Sequence, residues 1–307
     1  MRSPVALLIF NRPEETSRVF AEIRRARPDR LLVVADGPRP DRAGEAERCA
    51  AAQHITEKVD WPCQVDRNYS TTNLGCRRRV SSGLSWVFES VSEAIILEDD
   101  CLPHPSFFDY CDVLLARYRE TPEIFSVCGT NLLRRHPRSS ESYYFSRYPQ
   151  IWGWATWRRV WAGYDVDIKF WPELRDMGWL ASVLGSADVA TFFSAQFDSI
   201  RAGTLDTWDT QLLFASMRAG GLSILPSTNL ISNIGFGPAA THTTLYDHPQ
   251  ASQSLEDPDR PLRHPSAVIR DEARDHILEQ QYYLNPPKPA FSKRVMRKLR
   301  HLLSGGE

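Results

Sequence analysis

The sequence predicts an α/β sandwich built on a mixed, mainly parallel sheet, and three observations carry that reading. Val5-Ala6-Leu7-Leu8-Ile9-Phe10, Leu31-Leu32-Val33-Val34-Ala35 and Ala94-Ile95-Ile96-Leu97 are short, wholly apolar runs, the signature of strands buried on both faces. Between the first two, Thr16, Val19, Phe20 and Ile23 recur at a 3.6-residue period, giving a strand–helix–strand unit. Each run stops at polar or charged residues: Asn11-Arg12-Pro13, Asp36-Gly37-Pro38 and Glu98-Asp99-Asp100. Ligands of open α/β sheets bind at the C-terminal edge of the strands. These endings therefore place Arg12, Asp36 and three consecutive acids at one site.

The remaining elements follow in order. Asn73-Leu74-Gly75 introduces a helix with Val80, Leu84, Val87 and Phe88 on one face. After Pro105, a second helix lines up Phe107, Phe108, Cys111, Leu114, Leu115 and Tyr118, and 124–128 reads as a further strand. The second half is less regular. Residues 151–161 contain Trp152, Trp154, Trp157 and Trp161; a helix starting near Thr207 carries Trp208, Leu212, Leu213 and Met217 and ends at Gly220-Gly221, before a strand over 222–225. Beyond Asp247 the chain turns to proline, charge and histidine, which predicts a poorly packed extension. Its last part sets Phe291, Val295, Met296, Leu299, Leu302 and Leu303 against Lys293, Arg294, Arg297, Lys298 and Arg300 on a helix. Such a basic amphipathic helix suits peripheral contact with an anionic membrane surface, and equally a helix docked on its own domain with its basic face in water.

Composition bounds the function. The 307 residues are 42% hydrophobic and 24% charged, an ordinary globular balance with ample core. A net charge of −1 gives no reason to expect a nucleic-acid partner. The six cysteines form no CxxC pair and read as free thiols of a reducing compartment. No apolar run approaches a membrane span, and the first residues are not a signal peptide. The expectation is a cytoplasmic protein.

The chemistry centres on Glu98-Asp99-Asp100. Adjacent carboxylates repel and raise one another's cost of ionisation, so a cation must offset them. Mn²⁺ or Mg²⁺ carrying a phosphorylated ligand suits one or two carboxylates. Arg12 could fork onto a phosphate, or be a surface arginine. Asp36 could accept hydrogen bonds from a base or ribose, or simply form the turn before Gly37-Pro38. Asp206 is a plausible N-cap for the helix near Thr207. Asp209 is the better general-base candidate, because Trp208 beside it would desolvate it. The tryptophans could be core, or stack on sugar rings, and Gly153 between Trp152 and Trp154 suggests close approach of something to the backbone. His242 is a candidate metal or phosphate ligand in a polar loop.

Residues 95–110 run apolar strand, Glu98-Asp99-Asp100, a proline, then Phe107-Phe108-Asp109-Tyr110. This order resembles the metal motif and following helix of GT-A-fold nucleotide-diphospho-sugar glycosyltransferases, N-acetylglucosaminyltransferase I and its bacterial relatives in particular. Arg12 is similar to an arginine that meets the diphosphate in that family, and Asp36 to an aspartate that reads uracil. Trp152-Gly153-Trp154 resembles a Gly-Trp segment of the acceptor half, and Trp208-Asp209 a Trp-Asp element whose aspartate is the catalytic base. The likeness spans residue 4 to about 240. It departs at Thr210, where the family has a second aspartate, and the N-terminal anchor of the eukaryotic enzymes is expected to be missing.

The resemblance implies a three-layer GT-A sandwich, with a nucleotide-sugar-binding half over 1–130, an acceptor-binding half over 131–247 and a C-terminal extension over 248–307. It implies metal-dependent, inverting transfer of a sugar from a nucleoside diphosphate donor, expected to be UDP-linked, to a hydroxyl of a glycan or lipid-linked acceptor. Arg12 and Asp36 would hold the nucleotide. Glu98 and Asp99 would contact ribose and donor sugar or orient Asp100. Asp100 would bind Mn²⁺ or Mg²⁺ with His242 as a second ligand, Trp152, Trp154 and Trp208 would shape the sugar site, and Asp209 would be the base. A role in polysaccharide assembly at the inner face of the cell membrane fits. Two alternatives stay open: a sugar nucleotidyltransferase, and a catalytically silent nucleotide-sugar-binding protein.

Overall fold

The computed structural model describes residues 1–133, 140–236, 253–258 and 260–285. Its elements run β1 (Val5–Ile9), α1 (Pro13–Ala26), β2 (Arg30–Ala35), α2 (Glu45–Thr56), β3 (Gln64–Tyr69), α3 (Gly75–Ser90), β4 (Glu93–Glu98), β5 (Cys101–Pro103), α4 (Ser106–Tyr118) and β6 (Ile124–Cys128). The second half adds β7 (Tyr143–Ser146), β8 (Trp154–Trp157), α5 (Arg158–Trp161), α6 (Trp171–Asp176), α7 (Trp179–Leu184), α8 (Ala187–Arg201), α9 (Asp209–Ala219), β9 (Leu222–Pro226), β10 (Ile231–Asn233) and α10 (Glu272–Leu278). The expected α/β sandwich forms around one mixed sheet in the order β3-β2-β1-β4-β8-β6-β9-β7.

Local chemistry explains the helices the pattern predicts. In α1, Pro13 opens the first turn, Glu14 and Glu15 face the positive end of the helix dipole, and Arg24 and Arg25 face the negative end. Its buried side chains are Thr16, Val19, Phe20 and Ile23, the predicted face. The α9 helix ends at Gly220, whose φ of +60° is the left-handed stop that glycine adopts without strain.

The register then builds the site. β1 pairs in parallel with β2 and with β4, so Ile9 lies beside Ala35 and Leu8 beside Glu98. The strands end level, and the residues after them meet. The step from β1 to β2 and on to β3 runs one way along the sheet; those from β3 to β4 and from β4 to β6 run the other way. Right-handed crossovers therefore put α1 and α2 on one face and α3 and α4 on the other, which gives three layers.

β8, which carries Trp154 and Trp157, runs antiparallel between β4 and β6. This insertion brings the second half of the chain alongside the acids. Gly153 has φ +59°, and a Cβ there would meet the Ile231 side chain at 2.3 Å. What approaches its backbone closely is thus the protein's own core, a correction to the ligand reading of that glycine.

The C-terminal segment also differs from expectation. Its described part is well packed: Asp275, Leu278 and Glu279 are buried, and Tyr283 packs on Tyr148 and Phe193. Buried polar pairing, invisible to apolar periodicity, holds it. Asp275 accepts from the Ser146 hydroxyl, the Arg147 N–H at 3.2 Å and Arg270 Nε at 2.6 Å. Tyr148 donates to Glu279 at 2.5 Å. Burial pushes the Asp275 carboxyl up to about 6, against the opposing pull of Ser146 and Arg270. The native state thus binds this proton more tightly than the unfolded chain, so stability from this group falls as pH rises from about 4 to about 6, by roughly 3 kcal/mol. Asp275→Asn is expected to remove that component, seen as a flatter pH profile of the denaturation midpoint than wild type.

Among the described residues no helix is long and apolar enough to cross a membrane. The basic amphipathic stretch over 291–303 lies outside the described residues.

Candidate functional site

The strand ends open into a cleft of about 670 Å³ lined by residues of both halves of the chain, a size typical of small-ligand sites. Arg12, Asp36, Glu98, Asp99 and Asp100 line it together with Trp152, Trp208 and Asp209. Most of the residues singled out in the sequence thus meet in one place.

The acids divide their work. Asp99 is turned inward, with Oδ2 accepting the Phe10 N–H at 3.0 Å and Oδ1 lying 3.6 Å from Arg12 Nη1. Burial and then the charge of Asp100 push its carboxyl up to about 7, with Arg12 and the Phe10 N–H pulling the other way. Asp100 Oδ2 pairs directly with Arg12 Nη1, while Oδ1 is approached by the Cys101 thiol at 3.5 Å. Glu98 closes β4, and among the described residues no donor hydrogen-bonds its carboxyl. Burial, then Asp100, Asp99 and Asp209, raise its carboxyl well above the ordinary range. Asp209 lines the same cleft as the triplet.

This is an excess of negative charge with oxygen donors facing a cleft, and a hard divalent cation fits it. Among the described residues no group of three or more His, Cys, Asp or Glu is gathered as a metal cage. The donor set therefore suits an ion held by one or two carboxylates together with a ligand's phosphates; Asp100 Oδ1 carries only the weak Cys101 thiol contact. His242 lies outside the described residues.

Residues after β10 close on this pair. The Ile234 N–H donates to the Asp100 carbonyl at 2.8 Å, and a Cβ on Gly235 would meet Asp100 Oδ2 at 2.1 Å, Arg12 Nη1 at 2.7 Å and Asp100 Cβ at 2.7 Å. Only a glycine lets the segment seat there. Gly235→Ala is expected to push Asp100 off Arg12, lowering any turnover at this cleft by about tenfold or more, and to lower the melting temperature as well, because both side chains of that ion pair are largely buried. Steady-state rates beside a melt check this.

Asp36 lines the cleft, but its carboxylate already accepts four hydrogen bonds. Oδ1 takes the N–H groups of Gly37 and Leu74, both at 2.9 Å; Oδ2 takes the Gly75 N–H and the Asn73 side-chain amide, both at 3.1 Å. It organises the loop before α3 and the first turn of that helix. Burial raises its carboxyl above the ordinary range, offset in part by those backbone groups and Arg79.

Asp206 caps a different helix from the one expected. α9 starts at Asp209, with no side-chain cap, while Asp206 Oδ1 accepts the Arg77 N–H of α3 at 3.2 Å. Arg77 in turn donates to Val166, Asp167 and Ile200 of the second half. The start of α3 is therefore a hub joining both halves, and sequence spacing held no signal for it.

Asp209 stands at the first turn of α9. Its Oδ1 accepts the Thr207 hydroxyl and the Thr210 N–H, the latter at 2.8 Å; among the described residues Oδ2 has no hydrogen-bond partner. The tryptophans separate. Trp152 is partly exposed and meets Phe236 edge-on at 5.7 Å. Trp154 is 1% exposed, does not line the cleft, and stacks behind Trp208 at 5.8 Å. Trp154 is core, a correction to its placement at a sugar, because its position in the middle of the sheet seals its ring from the cleft.

Comparison with known proteins adds little to this geometry. No protein-family model and no curated protein matches the chain. Among solved structures, 4-diphosphocytidyl-2C-methyl-D-erythritol synthase from Anaerococcus prevotii aligns at 10% identity over 69% of this chain and 81% of its own, with a TM-score of 0.35. UDP-glucose pyrophosphorylase complexed with UDP-glucose aligns at 10% identity over 71% and 89%, with a TM-score of 0.33. HddC from Yersinia pseudotuberculosis complexed with GMP-PN aligns at 9% identity over 55% and 85%, with a TM-score of 0.32. At such identities and scores these likenesses carry nothing about activity, and none of the three bears out the resemblance to N-acetylglucosaminyltransferase I.

Proposed function

We propose that the chain is a metal-dependent glycosyltransferase, moving a sugar from a nucleoside diphosphate donor to an acceptor hydroxyl with inversion. One observation carries the reading: a single cleft joins Arg12 and Glu98-Asp99-Asp100 from the strand ends to Asp209 from the second half. A diphosphate needs cations, and a hydroxyl nucleophile needs a base across from it.

In this reading Arg12 meets the diphosphate, and Asp100 with Glu98 would hold Mn²⁺ or Mg²⁺. When bound, such an ion offsets the charge that builds on the leaving diphosphate. Asp99 positions the assembly by tying the end of β4 to the end of β1. Asp36 acts through the loop it holds. Asp209 Oδ2 takes the proton of the acceptor hydroxyl as its oxygen attacks the anomeric carbon, and Trp152 walls the sugar, with Trp208, only 2% exposed, backing the cleft floor. The acceptor class, a glycan or lipid-linked sugar, is carried over from the motif resemblance.

Nucleotidyl transfer to form an activated sugar is the competing reading. It calls for a glycine-rich basic loop around a triphosphate, whereas the turn after β1 is Phe10-Asn11-Arg12-Pro13, and the Asn11 amide is committed to Glu45. A screen of UDP-, GDP- and dTDP-sugars with Mn²⁺, Mg²⁺ or EDTA tests both. Metal-dependent release of nucleoside diphosphate with at least one donor is expected. Pyrophosphate-dependent formation of a nucleoside triphosphate would replace this reading with the nucleotidyl one. Donor binding without turnover, with every acceptor tried, would leave the silent binding protein.

A further inference from the structure

Arg39 lines the cleft, on the loop between β2 and α2, and no motif points to it. A single carboxylate holds its guanidinium as a fork. Nε and Nη2 donate to Glu45 at 3.0 and 2.5 Å, and the Arg39 backbone N–H donates to the same group at 2.7 Å. The Glu45 side chain is 1% exposed and also accepts the Asn11 amide at 2.8 Å. One buried acid thus ties the end of β1, the loop after β2 and the first turn of α2. The Arg39 fork, first among these contacts, holds the Glu45 carboxyl down to about 2, so the pair stays ionised at physiological pH.

The far side of the guanidinium is open. The Arg39 side chain is 40% exposed, and among the described residues Nη1 has no hydrogen-bond partner. Its Cζ lies 5.5 Å from the centroid of the Phe10 ring, which fixes the plane of the group. An arginine already immobilised by a fork and a ring loses little freedom when it takes an anion. Arg12 is its counterpart, two positions after Phe10 and held on Asp100. The end of β1 is therefore flanked by two arginines, each fixed by a carboxylate, at the mouth of a cleft whose other charged groups are mainly acids. Neutral groups of a nucleoside would make poor use of a preset, charged fork; phosphate oxygens match it in charge and geometry.

We propose that Arg39 is a binding residue for the diphosphate of the nucleotide ligand, with Glu45 as its positioning residue. The inference rests on the nucleotide-sugar reading above and adds to it a second cation from a different loop.

Calorimetry on the full chain tests it, with UDP, GDP and dTDP, each beside its nucleoside, in Mg²⁺. Because Arg39→Gln alone removes the fork from a buried carboxylate and leaves it only the Asn11 amide, one backbone N–H and Arg48 at 3.9 Å, the double variant Arg39→Gln/Glu45→Gln is the main probe, with melting curves as the folding control. Loss of one charge-assisted contact predicts diphosphate affinity down by roughly tenfold to a hundredfold, with nucleoside affinity unchanged. Arg39→Lys keeps the ion pair and the fold while losing the fork, and is expected to lose several-fold in diphosphate affinity alone. Should the double variant fail to fold, Arg39→Lys decides. Diphosphate affinity within about twofold of wild type in the deciding variant, or an equal loss for diphosphate and nucleoside, would overturn the role of Arg39 and leave the proposed function standing. Absence of any diphosphate binding by the wild-type chain would overturn both.

Discussion

Asp209→Asn is expected to lower sugar transfer by about 10²- to 10⁴-fold, the usual contribution of a positioned general base, with donor affinity unchanged. The substitution keeps shape and one acceptor oxygen. The hydrogen bonds that Asp209 Oδ1 takes from Thr207 and Thr210 can persist on the amide oxygen, so α9 should start where it does now. What is lost is the second oxygen's capacity to take a proton. Asp100→Asn is the matched control: it should weaken metal-dependent donor binding as well as turnover. Single-turnover rates beside donor titrations separate the two. Transfer unchanged in Asp209→Asn and abolished in Asp100→Asn would remove Asp209 as the base.

The second large effect belongs to Asp36. Replacing it with alanine strands the N–H groups of Gly37, Leu74 and Gly75 and takes one of two acceptors from the Asn73 amide, which keeps the Gly37 carbonyl. At about 1–3 kcal/mol for each donor left without a partner, less where cleft water reaches it, the expected destabilisation is about 3–5 kcal/mol. Asp36→Asn should do nearly as much harm, because its amide nitrogen would face donors. This result discriminates between two roles. A residue that only reads a base would, as asparagine, change nucleotide preference and leave stability alone. A residue that holds the loop would lower the denaturation midpoint for every ligand. The four contacts predict the second outcome, with nucleotide affinity falling along with stability because the loop and the start of α3 line the cleft.

Much of this was legible in the chain. Wholly apolar runs ending in Arg12, Asp36 and Glu98-Asp99-Asp100 predicted parallel strands and a shared edge, since burial on both faces leaves no other pattern. The face of α1 and the Gly220 stop of α9 were equally plain. Trp154 misled because a tryptophan's sequence neighbours do not say whether its ring meets solvent or the back of Trp208. Asp206 misled because a capping side chain can serve any nearby helix, and only tertiary structure makes α3 nearer than its own. Arg39 and Glu45 carried no signal at all: an arginine and a glutamate six positions apart across a loop look like surface charge until the fold buries one and presents the other.

The sequence by itself determined the strands, their buried character and the charged groups that close them, because those follow from local hydrophobicity and period. Tertiary structure decided which charges share partners. Antiparallel insertion of β8 beside β4 brings the second half, with Trp208 and Asp209, against the acids. Burial then sorts the carboxylates into those committed to backbone, as at Asp36 and Asp99, and those with an oxygen left open or only weakly held, as at Asp209 and at Asp100 beside the Cys101 thiol. Hydrogen bonds and ion pairs act over a few ångströms between residues far apart in the chain, and only the folded path sets those distances.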